Sequence, residues 1–173
     1  MIQLRPFEQS HFSTLISWIN TKELLLTIAG TYFEFPLTTD QLQQYLTDDK
    51  SNSFSVVDTS TNTIIGHAEI VKAGNRFYKI DKLLIGDQAN RGKGIGKQVM
   101  GELLRYAFEK LDADVVELNV FDWNVAGIRC YEVVGFVLNP DKKQTFEVNG
   151  KIWQALNMTI EKNRWSKLIA EKN

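Results

Sequence analysis

Apolar and polar residues alternate from Ile2 to Pro6, and the proline stops the run, so the chain opens on a short strand. From Gln9 to Ile19 the period changes. Phe12, Leu15, Ile16 and Ile19 recur at helical spacing, with Ser10 as the expected cap and Trp18 off the apolar stripe, either a half-exposed surface aromatic or a residue facing substrate. Thr21 to Leu26 extends as further helix before Gly30. Tyr32-Phe33-Glu34-Phe35-Pro36 then places aromatics densely ahead of a proline, a run that is costly to expose and so either lids a pocket or packs on the core. Thr38 to Asp40 cap a helix whose stripe is Leu42, Tyr45 and Leu46.

Ser53 to Asp58 and Thr63 to Val71 read as a hairpin across a polar turn, and Phe77 to Gly86 as a third strand. The helix over Ile95–Leu111 carries Ile95, Val99, Leu103, Leu104, Phe108 and Leu111 on one side and mostly polar residues on the other, which docks it on a sheet. Val115 to Phe121 is the next strand, parallel to Phe77–Gly86 through a right-handed crossover. Asn124 to Val134 is a short helix ended by Gly135. Phe136 to Leu138 is a strand stopped by Asn139-Pro140-Asp141. Asn149-Gly150 joins strands Gln144–Val148 and Lys151–Ile160 in a tight hairpin. From Glu161 a polar tail with Trp165 and Leu168 forms a loosely docked helix.

The order of elements is that of an α/β (α+β) fold around a mixed sheet, antiparallel first and parallel later. A length of 173 residues suits one domain over 1–173, with its core at 2–160 and a polar tail at 161–173. Apolar residues at 43% and charged residues at 24% are ordinary for a globular chain, and a net charge of -1 gives no global basic field for nucleic acid or an anionic membrane. One cysteine, Cys130, rules out an intramolecular disulfide, and with two histidines, His11 and His67, no metal site is expected. No apolar run approaches the ~20 residues of a membrane span. The expectation is a cytoplasmic monomer or homodimer without nucleic-acid or membrane partners.

Chemistry concentrates where the strand Phe77–Gly86 runs into Arg91-Gly92-Lys93-Gly94-Ile95-Gly96-Lys97 and then a helix. Glycines there let the backbone turn sharply and leave the first helical N–H groups uncovered, which with the helix dipole makes a phosphate site. A dinucleotide loop G-x-G-x-x-G fails, because Lys97 or Val99 stands where its last glycine belongs. A P-loop fails at Arg91 and Gln98. The pattern that fits is R-x-x-G-x-G. It resembles the acyl-CoA pyrophosphate loop of the GNAT family of N-acetyltransferases. Further on, Asn124-Val125-Ala126-Gly127-Ile128-Arg129-Cys130-Tyr131 and Gly135-Phe136 resemble that family's N-x-x-A-x-x-x-Y and G-F motifs, with Gly127 where alanine is usual. The early Trp18 and Pro36-Leu37-Thr38 look like the branch containing ribosomal-protein and small-amine acetyltransferases.

The resemblance implies a single GNAT-like domain with a sheet of about six to seven strands, a parallel pair splayed at the acyl-CoA cleft and helices on both faces. It implies acetyl-CoA as cosubstrate, held by Leu84, Ile85, Gly86, Arg91, Gly92, Lys93, Gly94, Ile95, Gly96, Lys97, Asn124 and Tyr131, with no metal. The backbone of Leu84 to Gly86 would pair with the pantetheine arm like an extra strand, and a backbone N–H there could stabilise the developing oxyanion. Tyr131 is the expected general acid, since a phenol of pKa ~10 is protonated at neutral pH; the competing reading is a core aromatic. Asn124 is either a pantetheine ligand, a helix cap, or both. Glu69, Asp81 and His67 are possible bases, and a water chain would need none of them. The acceptor, a small-molecule amine or a peptide N-terminus, would meet Trp18, Tyr32, Phe33, Phe35 and the Asn149-Gly150 hairpin. A catalytically silent acyl-CoA-binding sensor is the alternative to an enzyme.

Overall fold

In a computed structural model that describes residues 1–86 and 92–171, seven strands form one sheet. They are β1 (Ile2–Pro6), β2 (Ser51–Asp58), β3 (Thr63–Gly74), β4 (Phe77–Ile85), β5 (Val115–Phe121), β6 (Val137–Val148) and β7 (Lys151–Glu161), in the spatial order β1-β2-β3-β4-β5-β7-β6. All neighbours are antiparallel except β4 and β5, as the crossover through a helix requires. The parallel ladder covers Phe77↔Val115, Tyr78↔Val116 and Lys79↔Glu117. β4 meanwhile stays on β3 as far as Ile85↔Gly66, so beyond Lys79 it diverges from β5 and a wedge opens between them.

The divergence has a local cause. Lys82 takes φ 48, and the β3–β4 register shifts between the His67 and Glu69 pairs, a β-bulge on β4. The bulge reverses which side chains face which layer. Ile80 packs in the core under helix α4 (Ile95–Arg105), whereas beyond the bulge Leu83 and Ile85 pack toward that core and Leu84 belongs to the opposite cluster. The opposite cluster is built from Phe7, Leu84 and three helices, α1 (Phe12–Trp18), α2 (Lys22–Ala29) and α3 (Thr39–Tyr45), so helices lie on both faces.

Other boundaries follow their chemistry. A 3₁₀ turn at Gln9–His11 precedes α1, and Ser10 donates to the Glu8 carboxylate (2.8 Å) instead of capping the helix. The Thr21 and Thr38 hydroxyls cap α2 and α3 by accepting from Leu24 N and Gln41 N. α4 passes into a π-helical turn at Tyr106–Lys110. Asn139-Pro140-Asp141 does not end a strand: β6 runs on to Val148 as the sheet's edge, absorbing the proline in a bulge between Asn139 and Lys143. Asn149 and Gly150, at φ 51 and φ 73, make the β6–β7 turn. The tail is a helix, α6 (Lys162–Ala170), and it docks firmly. Trp165 stacks at 5.1 Å from Phe108, Arg164 donates to the Gly135 carbonyl (2.7 Å), and a Cβ on Gly135 would lie 2.4 Å from Leu168.

Candidate active site

The wedge between β4 and β5 is flanked by the start of α4 and by α5 (Val125–Val133). Gly92 and Gly94 both have φ 74, and Gly94 opens α4 with no side-chain cap, so the helix presents its first N–H groups without a competing acceptor from the cap residue. Nothing stands within 4 Å of a Cβ added at either glycine: backbone conformation, not crowding, requires them. Lys93 and Lys97 are exposed beside this turn, and Ile95 packs into the core. Arg91 lies outside the described residues. Gly96 faces α5, where an added Cβ would lie 3.5 Å from the Cys130 sulfur, which brings the loop next to the helix that carries Tyr131. Burial raises the Cys130 thiol pKa, which disfavours its thiolate form.

Asn124 caps α5 by accepting from Gly127 N (3.0 Å), and it also faces the wedge. A Cβ at Gly127 would lie 2.7 Å from the Asn124 amide, which accounts for glycine at that position. Tyr131, two turns on, reaches the same cavity, a space of 140 Å³ between Asp81, Lys82, Asn119, Phe121, Asn124 and Tyr131, closed on one side by the end of α2. Burial, and then the neighbouring Cys130, push the Tyr131 phenol up to about 12. A wider depression of 540 Å³ adjoins it along Gly30, Tyr32, Lys79, Gln144 and Phe146.

Of the residues expected as bases, Asp81 reaches the cavity and Glu69 does not. Glu69 is 1% exposed and Lys82 4%; the Lys82 ammonium donates to Glu69, and Ser51 donates to the same carboxylate. Glu69 points into the layer beneath α3, because β3 places it on the face opposite Ala68 and Ile70. His67 lies on that face too. It is 3.2 Å from the Tyr45 hydroxyl and edge-on to Phe7, and burial drives its pKa down to about 3. Asp81 is flanked by two ammonium groups, Lys79 at 3.3 Å and Lys82 at 3.7 Å.

The expected acceptor residues divide. Trp18 lies against Gly86, where an added Cβ would fall 2.1 Å from the indole, so it closes the end of β4. Tyr32 lines the outer depression and meets Phe33 and Tyr45 edge to face, with Lys82 over its ring at 4.0 Å. Phe33 packs on Tyr45 and Phe35 is exposed; neither lines these spaces. The hairpin tip reaches α2 through Asn149, which donates to Glu23 (2.7 Å). Lys79, Lys82, Phe121, Gln144 and Phe146 were not expected. Lys82 did carry a signal: it alternates with Ile80 and Leu84, and a lysine at an inward position of a strand needs a buried partner.

A model described as the acetyltransferase (GNAT) family matches residues 18–136. The chain is 22% identical over 181 residues to an N-acetyltransferase 9-like protein of Nematostella vectensis, covering 98% of this chain and 87% of that protein. It is 22% identical over 169 residues to the spermidine N(1)-acetyltransferase of Vibrio cholerae serotype O1, covering 95% of each. The crystal structure of spermidine N-acetyltransferase from Vibrio cholerae in complex with CoA and spermine superposes with a TM-score of 0.81 at 21% identity, over 95% of this chain and 98% of that one.

Proposed function

This chain belongs to the GNAT acetyltransferase family and is an acyltransferase, and from that premise we propose that it moves an acetyl group from acetyl-CoA to a primary amine by direct attack on the thioester, with Tyr131 as general acid. The observation that carries the reading is that Tyr131 and Asn124 share a cavity at the wedge between β4 and β5, beside the uncapped start of α4. The turn at Gly92–Gly96 would bind the CoA pyrophosphate through backbone N–H groups, with Lys93 and Lys97 adding charge. The end of β4, Leu84 to Gly86, would offer its backbone to the pantetheine arm, as a strand edge does to an added strand.

In the reaction the amine nitrogen bonds to the acetyl carbonyl carbon, the carbon–sulfur bond breaks, and the CoA thiolate takes a proton. The Tyr131 phenol, held at about 12, keeps its proton at neutral pH and delivers it as negative charge builds on sulfur. The proton lost by the amine leaves through water in the open outer depression, because Glu69 is buried in its ion pair and Asp81 is engaged by two ammonium groups.

Thiol release from acetyl-CoA, measured against a panel of primary amines, tests the reading; CoA binding without turnover on any of them would make the chain a binding module instead. Tyr131→Phe is expected to lower kcat by roughly a hundredfold or more while leaving acetyl-CoA affinity in place. Equal loss of both would assign Tyr131 to packing.

A further inference from the structure

Asp81 is the carboxylate that lines the cavity, and it and the two carboxylates that strand register sets beside Asp81 and Lys79 have ammonium partners from the chain itself. Asp81, on the cavity wall, has Lys79 at 3.3 Å and Lys82 at 3.7 Å. Glu69, behind it, is bonded to Lys82 and Ser51. Glu117, the register partner of Lys79 across the parallel ladder, accepts from Lys142 (2.9 Å) and from Asn157 (3.1 Å). One aromatic face is also taken: the Lys82 ammonium sits 4.0 Å from the centre of the Tyr32 ring and 5.3 Å from that of Tyr45. A second ammonium entering the cavity would therefore find no unengaged carboxylate in its lining, and would meet Lys79, which lines both the cavity and the outer depression.

What remains available is apolar and flat. Phe121 and Phe146 meet edge to face at 5.6 Å on the cavity wall. From Phe121 the aromatic surface continues outward through Trp153 (5.1 Å, edge to face) to Trp123, which stacks on Phe121 at 5.7 Å and is 49% exposed. These rings come from β5, β6, β7 and the β5–α5 turn, and they run in contact from Phe121 and Phe146 in the cavity lining to the exposed Trp123. A surface of this kind gains more from burying a ring than from a polar chain.

We propose that the acceptor is a monoamine on an aromatic body, and that Lys79 is the residue that turns polyamines away. The inference rests on the acetyltransfer reading above and narrows its substrate. Both a free arylalkylamine and the N-terminus of a peptide beginning with an aromatic residue have this chemistry.

Thiol release at saturating acetyl-CoA is measured with phenethylamine, a phenylalanine-headed tripeptide amide, butylamine and spermidine, alongside CoA binding by calorimetry. Phenethylamine or the peptide is expected to exceed both butylamine and spermidine in kcat/KM by roughly tenfold or more. Whichever of the two leads identifies the source of the amine. Lys79→Glu is expected to raise kcat/KM for spermidine by roughly tenfold while lowering the ratio of phenethylamine to spermidine. Lys79→Met, which leaves Asp81 with Lys82 alone and adds no negative side chain, should move the ratio the same way by less, and it guards against a failure of the glutamate variant to fold. Spermidine outperforming the aromatic amines in the unaltered protein, or a ratio indifferent to both variants, would overturn the proposal while leaving acetyltransfer intact. CoA binding with no turnover on any acceptor would overturn both.

Discussion

The two walls of the cleft are built by different means. The wall formed by the α4 turn and α5 rests on backbone: two glycines at positive φ, an uncapped helix start, an asparagine cap and the close approach of Gly96 to Cys130. The wall formed by β4 and the layer beneath α1–α3 rests on buried side chains far apart in sequence, Glu69 with Lys82 and Tyr45 with His67, with the exposed Tyr32 ring over the Lys82 ammonium. Backbone devices suit a cosubstrate whose phosphates and amides are the same in every turnover. Side-chain networks change with the residues that form them, which would suit a surface that selects an acceptor.

If that contrast holds, the largest loss should come from breaking the buried pair. Both members are almost fully enclosed, so Glu69→Gln leaves the buried Lys82 ammonium with only the longer contact to Asp81, at 3.7 Å, as counter-charge. Removing one partner of such a pair costs about 3–5 kcal/mol, which urea unfolding would read directly. Replacing both together, Glu69→Leu with Lys82→Met, should recover most of that loss, because two apolar groups leave no buried charge. A small effect of Glu69→Gln alone would mean that water reaches the pair and that this wall is less enclosed than its burial indicates. The Lys82 bulge gives the experiment a second meaning. If the ion pair holds the bulge, the double variant should fold well yet bind acetyl-CoA more weakly, since β4 would no longer diverge from β5 at the same place.

The opposite wall should fail through binding rather than stability. Gly94→Val puts a β-branched residue at φ 74, a conformation such residues seldom adopt, and covers the N–H groups at the start of α4. CoA affinity by calorimetry is expected to fall about a hundredfold, close to 2.7 kcal/mol. Unchanged affinity would refute the phosphate cradle.

The same contrast explains what could be read from the sequence. The α4 turn and α5 were legible because their signals are local: glycine spacing after a strand, an asparagine before a helix, and Tyr131 a fixed step beyond it. The parallel β4–β5 pair, the β6–β7 turn and the helix faces were legible for the same reason, from period and punctuation. The acceptor wall was not. Glu69 stood on a strand face that reads equally well as cleft or core, and only the β4 bulge, which shows in the pattern as nothing more than a lysine between Ile80 and Leu84, settles that it faces inward. Phe121, Phe146, Trp153 and Trp123 meet through cross-strand register, which no local spacing reveals. Pro140 misled because a proline normally ends a strand, whereas an edge strand can carry it in a bulge.

A smaller test separates the walls by pH. His67 is fully enclosed, its Nδ1 has no hydrogen-bond partner among the described residues, and burial lowers its pKa from 6.5 to about 3. Between those values the unfolded chain takes up a proton that the folded chain refuses, so this contribution to stability is present above pH 6.5 and is lost as pH falls toward 3. The slope from this group is at most about 1.4 kcal/mol per pH unit. His67→Leu should flatten the acid limb of the stability profile by that share, and an identical limb would show that His67 protonates in place.

The smallest effect is expected at Asp81, and it bears most directly on the chemistry. A carboxylate acting as general base contributes about a hundredfold or more to the rate. Asp81 lines the cavity but lies between Lys79 and Lys82, so its charge serves to hold those two ammonium groups in place. Asp81→Asn keeps the side chain's shape and removes only that charge. If the amine's proton leaves through water, kcat for a monoamine should change by less than about threefold, under 1 kcal/mol, with its pH dependence still following ionisation of the amine. A loss near a hundredfold, with the ionisation limb of kcat displaced, would make Asp81 the base. The acceptor wall would then take part in the chemistry as well as in selection, and the division of labour between the two walls would no longer stand.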